Sequence, residues 1–477
     1  MDQASLEFVA FGLLFAILSN FSRARVWRSA MLLLASLVFI GLLAKSVVVL
    51  VPLLGFLLIG YAALVALERG WTRSASWGVL SVIFLYLWLK KYTFLPKGIF
   101  LNFPYFTLGL SYIFFRVLHL LIETGDSEEK RSIRLVDYLL YTLNFTTLVS
   151  GPIQRYDKFA EDQYAREPID LDAGVVGLQM ERIVRGFFKV NVLAMLLHAV
   201  QQDALMQLSQ PIPMSMKLYP AIRLVVVYPF FLYANFSGYI DIVIAIARLM
   251  RVRLPENFDR PFSAASFIDF WNRWHITLST WLKTYVYNPL FLSLMRRSSP
   301  GMAPTLGVLC FFVTFFLVGI WHGRTSEFVV FGIFQGGGVA VNKLWQIQLT
   351  RRLTRKGYNA LAANPFYTAF ARGLTFSWFA FTLFWFWAGW KQIGTVAHAL
   401  GVVEWIGVWL MVWLSATTVF AAWEAVRARL LSVTTVEGPV LTSWYARTMY
   451  TTSLAFVALI LMILLNQPAP DIVYKAF

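Results

Sequence analysis

The chain has 477 residues, of which 58% are hydrophobic, 17% aromatic and only 14% charged, with a mean hydropathy of +0.64. A soluble domain of this length carries about a quarter charged residues, so the composition excludes an ordinary soluble enzyme and fits a polytopic membrane protein. The formal net charge of +16 reads as basic loops and contact with anionic lipid headgroups, not as nucleic-acid binding, because no soluble basic domain is visible.

The start carries Asp2 and Glu7 where a cleavable signal peptide is positive, so the first apolar run predicts a retained span. Spans are predicted near 6–20, 29–44, 46–67 and 75–89. The loops around them carry Arg23, Arg25 and Arg28, then Lys45, then Glu68, Arg69 and Arg73, and last Lys90, Lys91 and Lys97. That distribution leans toward a cytoplasmic first loop. Residues 92–122 are apolar but interrupted by Pro96, Gly98, Pro104 and Gly109, and 134–153 run into Ser150-Gly151-Pro152. Such breaks predict short, tilted or re-entrant helices, which survive at membrane depth only where protein or a cavity surrounds the backbone. The polar stretch 155–182 is expected outside the hydrocarbon. Apolar stretches near 183–200, 221–250, 302–322, 327–347, 373–391, 402–423 and 445–466 follow, giving about eleven embedded segments at roughly 20 residues per span. The basic run Arg351 to Lys356 is expected on the cytoplasmic side. No internal repeat interrupts the chain. It is read as one all-α domain, 1–477, with N-terminal helices 1–91, a motif-bearing core 92–347 and C-terminal helices 348–477.

Two histidines stand out. His322 ends an uncharged stretch, Ser298 to Gly323, in the phrase Gly319-Ile320-Trp321-His322-Gly323. An imidazole beside a run long enough to cross a bilayer is costly, so a functional role facing a bundle interior or a water-filled cavity is its default reading. His275 lies in Asp269 to Lys283, where Trp271, Trp274, His275, Leu278, Trp281 and Leu282 share one face at helical spacing. Asp269 and Arg273 can pair on the other side. Periodicity alone reads this segment as an interfacial helix anchored by tryptophans. Cys310 is the only cysteine, so an intrachain disulfide, Cys-based metal sites and iron–sulfur clusters are excluded, and no metal site is expected. The pair of histidines points instead to proton transfer within a membrane. His119, His198 and His398 are read as structural. Asp241 reads as an intramembrane carboxylate or a partner of Arg248.

The phrases Leu254-Pro255-Glu256-Asn257-Phe258-Asp259-Arg260-Pro261-Phe262, Phe270-Trp271-Asn272-Arg273-Trp274-His275 and Gly319-Ile320-Trp321-His322-Gly323 together resemble the membrane-bound O-acyltransferase (MBOAT) family. The similarity is to its bacterial alginate O-acetyltransferase and teichoic acid D-alanyl transfer branch. Ser150-Gly151-Pro152-Ile153-Gln154-Arg155-Tyr156, Arg185-Gly186-Phe187-Phe188-Lys189-Val190 and Phe236-Ser237-Gly238-Tyr239-Ile240-Asp241 extend the likeness across roughly 140–345. Ser326 departs from the aromatic often found three places after the WHG glycine, and Ile472 to Phe477 only loosely matches the branch's aromatic tail. Asn272 is closer to the D-alanyl type, and Thr280 to Lys283 to the acetyl type.

The resemblance implies a bundle with re-entrant and interfacial helices around a central tunnel. It also implies acyl transfer from a thioester to a hydroxyl of an extracytoplasmic polysaccharide or cell-envelope glycan. His322 is then the base, and His275 orients the donor carbonyl or relays the proton. Trp321, Trp271 and Trp274 wall the tunnel or pack, Asn272 and Gln154 donate to a developing oxyanion, and Arg155 and Arg273 meet a phosphorylated donor or act as interfacial arginines. The donor would be acetyl-CoA or an acyl carrier protein on the cytoplasmic side, with no tightly bound cofactor. The acceptor would be a glycan or a periplasmic acyl-transfer partner, and the location the bacterial cytoplasmic membrane. Two other classes stay open: D-alanyl-type transfer from a carrier protein, and a non-enzymatic polysaccharide or lipid transporter or scaffold.

Overall fold

The computed structural model describes residues 5–44, 46–126, 132–430 and 443–465; the tail from Ile472 to Phe477 lies outside them. The described residues are helical, with no β-strand and one isolated bridge, Phe258 to Trp274. Eight helices among them are long and apolar enough to cross a membrane, and Leu6–Ser19 and Ser76–Leu89 are shorter apolar helices. Several present apolar side chains that no protein covers. In Trp444–Leu465, Phe456, Leu459, Ile463 and Leu464 are all exposed. Such faces need a hydrocarbon solvent, and the chain is a multi-pass membrane protein.

Two compact units divide the chain, and neither follows its order. The first comprises 1–190, 236–255 and 462–477; the second comprises 191–235 and 256–461. In the first unit, the helices Leu6–Ser19 and Arg25–Leu43 meet the segment after Leu135–Thr142 in an aromatic cluster of Phe8, Phe11, Phe39 and Phe145. The chain from Leu143 to Gln154 leaves helical geometry while buried, as the Ser150-Gly151-Pro152 break predicts. Its orphaned backbone groups must then find partners inside the protein. The fully buried Arg116 guanidinium supplies them, donating to the carbonyls of Tyr141 (3.1 Å), Thr142 (2.7 Å) and Thr147. The Ser36 hydroxyl accepts from the Phe145 amide at 3.1 Å.

Also in the first unit, Gly186 and Gly238 let the helix Ala173–Phe188 approach the end of Met214–Leu249 closely. A Cβ on Gly238 would lie 2.7 Å from the Gly186 carbonyl oxygen. That crossing brings Asp241 against Arg182 (2.9 Å) and Lys189 (2.7 Å). The alternative partner weighed in the sequence, Arg248, instead donates to the Asp170 carbonyl. A carboxylate seven residues away on the same helix lies almost two turns off, whereas the crossing helix is in contact.

The second unit is built around the hairpin Ala303–His322 and Ser326–Ala363. Small residues pack it: a Cβ on Gly332 would sit 2.6 Å from the Phe316 carbonyl oxygen, and one on Gly336 2.5 Å from that of Phe312. Gly319 abuts Gly332 directly. Close backbone approach through small residues is how helices associate where no hydrophobic effect separates them from lipid.

Three sequence expectations change in detail. The apolar stretch 373–391 is not one span but Pro365–Thr382, a short turn Phe384–Trp387 and Trp390–Ala399. The break at Gly389 is held by Glu327, whose carboxylate accepts the Trp390 amide at 3.0 Å. The stretch 183–200 belongs to a longer apolar run, Ala173–Leu208, through a π-helical segment Lys189–Ala194. The interfacial helix read over Asp269 to Lys283 is broken at its centre, and its tryptophans are packed inside the protein and form no lipid-facing belt, since Trp271, Trp274, His275 and Trp281 are all buried.

Candidate functional site

The site in the second unit is assembled by that break. Phe267–Arg273 is N-capped by Ser266, whose hydroxyl accepts the Asp269 amide at 3.1 Å, and carries the expected Asp269–Arg273 pair at 3.0 Å. The chain then turns out of the helix at Trp274 and His275. His275 adopts a left-handed backbone (φ 45°, ψ 53°), a conformation uncommon for a non-glycine residue. What holds it there is the chain at Asn257 to Asp259. The Asn257 carbonyl accepts the Ile276 amide (2.9 Å), and the Arg273 carbonyl accepts the Asp259 amide (3.0 Å). The Asn257 side-chain oxygen accepts both the amide (3.1 Å) and the hydroxyl (2.6 Å) of Thr277. Asn257 is itself fully buried. The Leu254 to Phe262 phrase contains Asn257, but the sequence alone assigns it no role. Nothing local in the sequence marks it, because its burial and its partners twenty residues away are set by the fold.

The helix Ala303–His322 ends on the second histidine. His322 is 2% exposed, and its Nδ1 lies 2.6 Å from the Val318 carbonyl oxygen one turn back. A carbonyl only accepts, so Nδ1 carries the proton and the basic lone pair falls on Nε2. Phe331 (5.8 Å) and Phe386 (5.3 Å) stand edge-on to the ring. Gly323 follows because a Cβ there would run into the Phe328 ring. Trp321 lies against both imidazoles, with ring centroids 4.8 Å from His322 and 6.4 Å from His275. Burial holds the His275 imidazole well below its ordinary pKa, and the proximity of His322 lowers it further. A neutral imidazole can accept a proton through its free ring nitrogen, which an imidazolium cannot do.

The other residues singled out in the sequence are placed as follows. Trp271 is buried against Phe315 of the His322 helix (5.1 Å), and its indole N–H has no hydrogen-bond partner among the described residues. Trp274 stacks on Phe270 (5.6 Å) and meets Phe258 and Phe379, so it is a core residue of this fold. Asn272 is exposed on the side of its short helix opposite that core and is not gathered with the histidines. Arg273 also approaches Asp259 at 3.8 Å. In the first unit, Gln154 donates to the Arg253 carbonyl at 2.8 Å, which ties the 150–156 loop to the segment after Met214–Leu249. Arg155 pairs with Glu123. His119 is fully buried in the same unit, where its Nε2 accepts the Tyr156 amide at 3.3 Å. Ser326, the position lacking the family's aromatic, accepts a hydrogen bond from the Trp390 indole at 2.7 Å, so an aromatic reaches that place from another helix. No cluster of three or more histidine, cysteine or acidic side chains is placed to hold a metal among the described residues.

Among curated relatives, a teichoic acid D-alanyltransferase of Streptococcus thermophilus is 31% identical over 57% of this chain and 65% of its own length. Another from Bacillus subtilis is 26% identical over 57% of this chain and 67% of its own length. A probable alginate O-acetylase AlgI of Pseudomonas fluorescens is 31% identical over 50% of this chain and 44% of its own length. The chain thus spans about two thirds of the first two and under half of the third. The family model of the membrane-bound O-acyltransferases matches residues 29–386, taking in both histidines and the helices that carry them. The chain belongs to the MBOAT family of membrane-bound O-acyltransferases.

Proposed function

We propose that this protein moves an acyl group, acetyl in our reading, from a thioester to a hydroxyl of a cell-envelope glycan, with His322 as general base. The observation that carries it is the Nδ1 contact to the Val318 carbonyl, which fixes the tautomer and leaves Nε2 as the proton acceptor in a buried, water-poor surround. An alcohol attacks a thioester only as its proton leaves. Nε2 takes that proton while the new C–O bond forms at the acyl carbon. The tetrahedral intermediate then expels the thiolate by breaking the C–S bond, and the imidazolium returns its proton to the sulfur. Excluding water suppresses hydrolysis of the donor. His275, next to Trp321, orients the donor carbonyl or relays the proton, and Asn257 acts as a positioning residue by holding the left-handed turn at His275.

The donor is acetyl-CoA or an acyl carrier protein reaching the site from the cytoplasmic side. The acceptor is a glycan, or a periplasmic partner that completes the transfer, and the protein resides in the bacterial cytoplasmic membrane. Relatives named for both acetyl and D-alanyl transfer support acyl transfer as the shared chemistry. The test supplies purified protein in nanodiscs with isotopically labelled acetyl-CoA, or with D-alanyl carrier protein, and with the envelope glycan of the source strain. Acceptor-dependent appearance of the label in the glycan by mass spectrometry supports the reading, and the donor that works names the branch. Loss of neither thioester, with transport of labelled glycan across the membrane, would establish the transporter instead.

A further inference from the structure

From Phe328 to Val403 the chain contains no aspartate or glutamate, yet it carries Lys343, Arg351, Arg352, Arg355, Lys356, Arg372 and Lys391. Four of these cations crowd into one turn and a half, Arg351, Arg352, Arg355 and Lys356, and all four are exposed. None of the four forms an ion pair among the described residues. So concentrated a charge with no protein counter-charge is the feature to be explained.

Its position says what neutralises it. Ser326–Ala363 has 38 residues, and its first part up to the break at Thr354 alone makes about 42 Å of helix, where a bilayer core needs only about 30 Å. Counted from Ser326, some twenty residues reach Trp345. There the exposed indole donates to the Tyr367 hydroxyl at 3.1 Å, which joins this helix to the next at one level. Tryptophan and tyrosine favour the depth of the headgroups. Arg351 and Arg352 lie beyond that level by about 9–11 Å along the axis, and arginine and lysine side chains can reach back across several ångströms. The helix breaks between the two pairs, at Thr354, whose backbone is non-helical (φ 61°, ψ 170°). Leu353 between the two pairs is exposed, and so are Phe366 and Phe370 on either side of Tyr367 in the next helix. A surface that interleaves exposed cations with exposed apolar side chains suits a bilayer interface, which accepts both, better than an acidic soluble protein, which would cover only the charge.

We propose that the bend at Arg351 to Lys356 is a docking surface for anionic phospholipid headgroups, binding their phosphates and fixing this end of the hairpin at the membrane surface. The idea does not depend on the acyl-transfer reading. The test compares the full chain with the variant R351Q/R352Q/R355Q/K356Q in nanodiscs of phosphatidylcholine with about one third phosphatidylglycerol. Lipid retained on the protein is counted by native mass spectrometry after mild delipidation. Each basic residue near an anionic surface contributes about fivefold, so even after screening the wild type should keep phosphatidylglycerol over phosphatidylcholine at least tenfold better than the variant. That preference should fade in about 0.5 M salt. The charge-preserving variant R351K/R352K/R355K should retain it, and equal melting temperatures in pure phosphatidylcholine discs exclude misfolding as the cause. Undiminished phosphatidylglycerol preference in the glutamine variant overturns the proposal. So does a patch that captures an acidic acyl carrier protein while showing no preference between the two lipids.

Discussion

The substitution His322→Asn isolates proton abstraction from everything else His322 does. An asparagine amide can occupy the Nδ1 position and donate to the Val318 carbonyl, which now sits 2.6 Å from the ring. It has no lone pair basic enough to accept a proton at neutral pH. The helix end, the close passage at Gly319 and the neighbouring rings of Phe331 and Phe386 are left in place. The fold should lose about 1–3 kcal/mol, from the ring contacts forfeited in a smaller side chain and from the amide oxygen that replaces a ring carbon. A positioned base contributes about 10²–10⁴-fold to such a transfer, or about 3–5 kcal/mol of barrier. Turnover should fall by at least the lower figure, and the parallel melting curve separates that loss from the cost of burying the new amide oxygen. The assay is acceptor-dependent loss of labelled acyl thioester by monodisperse protein in nanodiscs, with the melting temperature recorded in parallel. A His322→Asn protein that melts like wild type and turns over within about threefold of it refutes the role assigned to Nε2.

His275→Gln should lower turnover less than His322→Asn does, because a group that orients the donor contributes less than the base; an unchanged rate at matched thermal stability leaves His275 as packing alone. Asn257→Ala strips two acceptor contacts from Thr277 and should cost about 1–3 kcal/mol of stability. It should also lower turnover through His275, so its kinetic effect should shrink in a His275→Gln background, and full additivity in the double-mutant cycle denies it a positioning role. Asp241→Asn leaves the buried Arg182 and the half-buried Lys189 without their anion, and by the cost of breaking a buried pair, about 3–5 kcal/mol, a sharp drop in melting temperature should follow; no drop would mean that the cations already reach solvent. Gly332→Val pushes a side chain into the Phe316 carbonyl and should cost about 1–3 kcal/mol or more, read as loss of monodisperse protein on size exclusion, with Gly337→Val, where nothing lies within 4 Å, as the tolerated control.

What the sequence could and could not disclose follows from the range of the forces involved. Hydropathy is local and additive, so the membrane class, most spans and the irregular stretch after Thr142 were legible directly. His322 was legible too, because an imidazole at the end of an apolar run is costly wherever it lies, and its helix ends where the Trp321-His322-Gly323 phrase placed it. Periodicity misled at Asp269 to Lys283 for a definite reason. A helical pattern of apolar residues reports which side chains are buried, and that report was right: Trp271, Trp274, Leu278 and Trp281 are all inside. It does not report whether the backbone between them stays helical. That was decided by a partner elsewhere in the chain, where Asn257 and Asp259 offered hydrogen bonds to the backbone around His275 that a continuous helix could not use. The same blindness made the tryptophans look like an interfacial belt, since an interface and a protein core both bury apolar faces. The residue the sequence left without a role, Asn257, is thus the one whose chemistry is wholly long-range, and the turn it holds is what presents His275 beside Trp321.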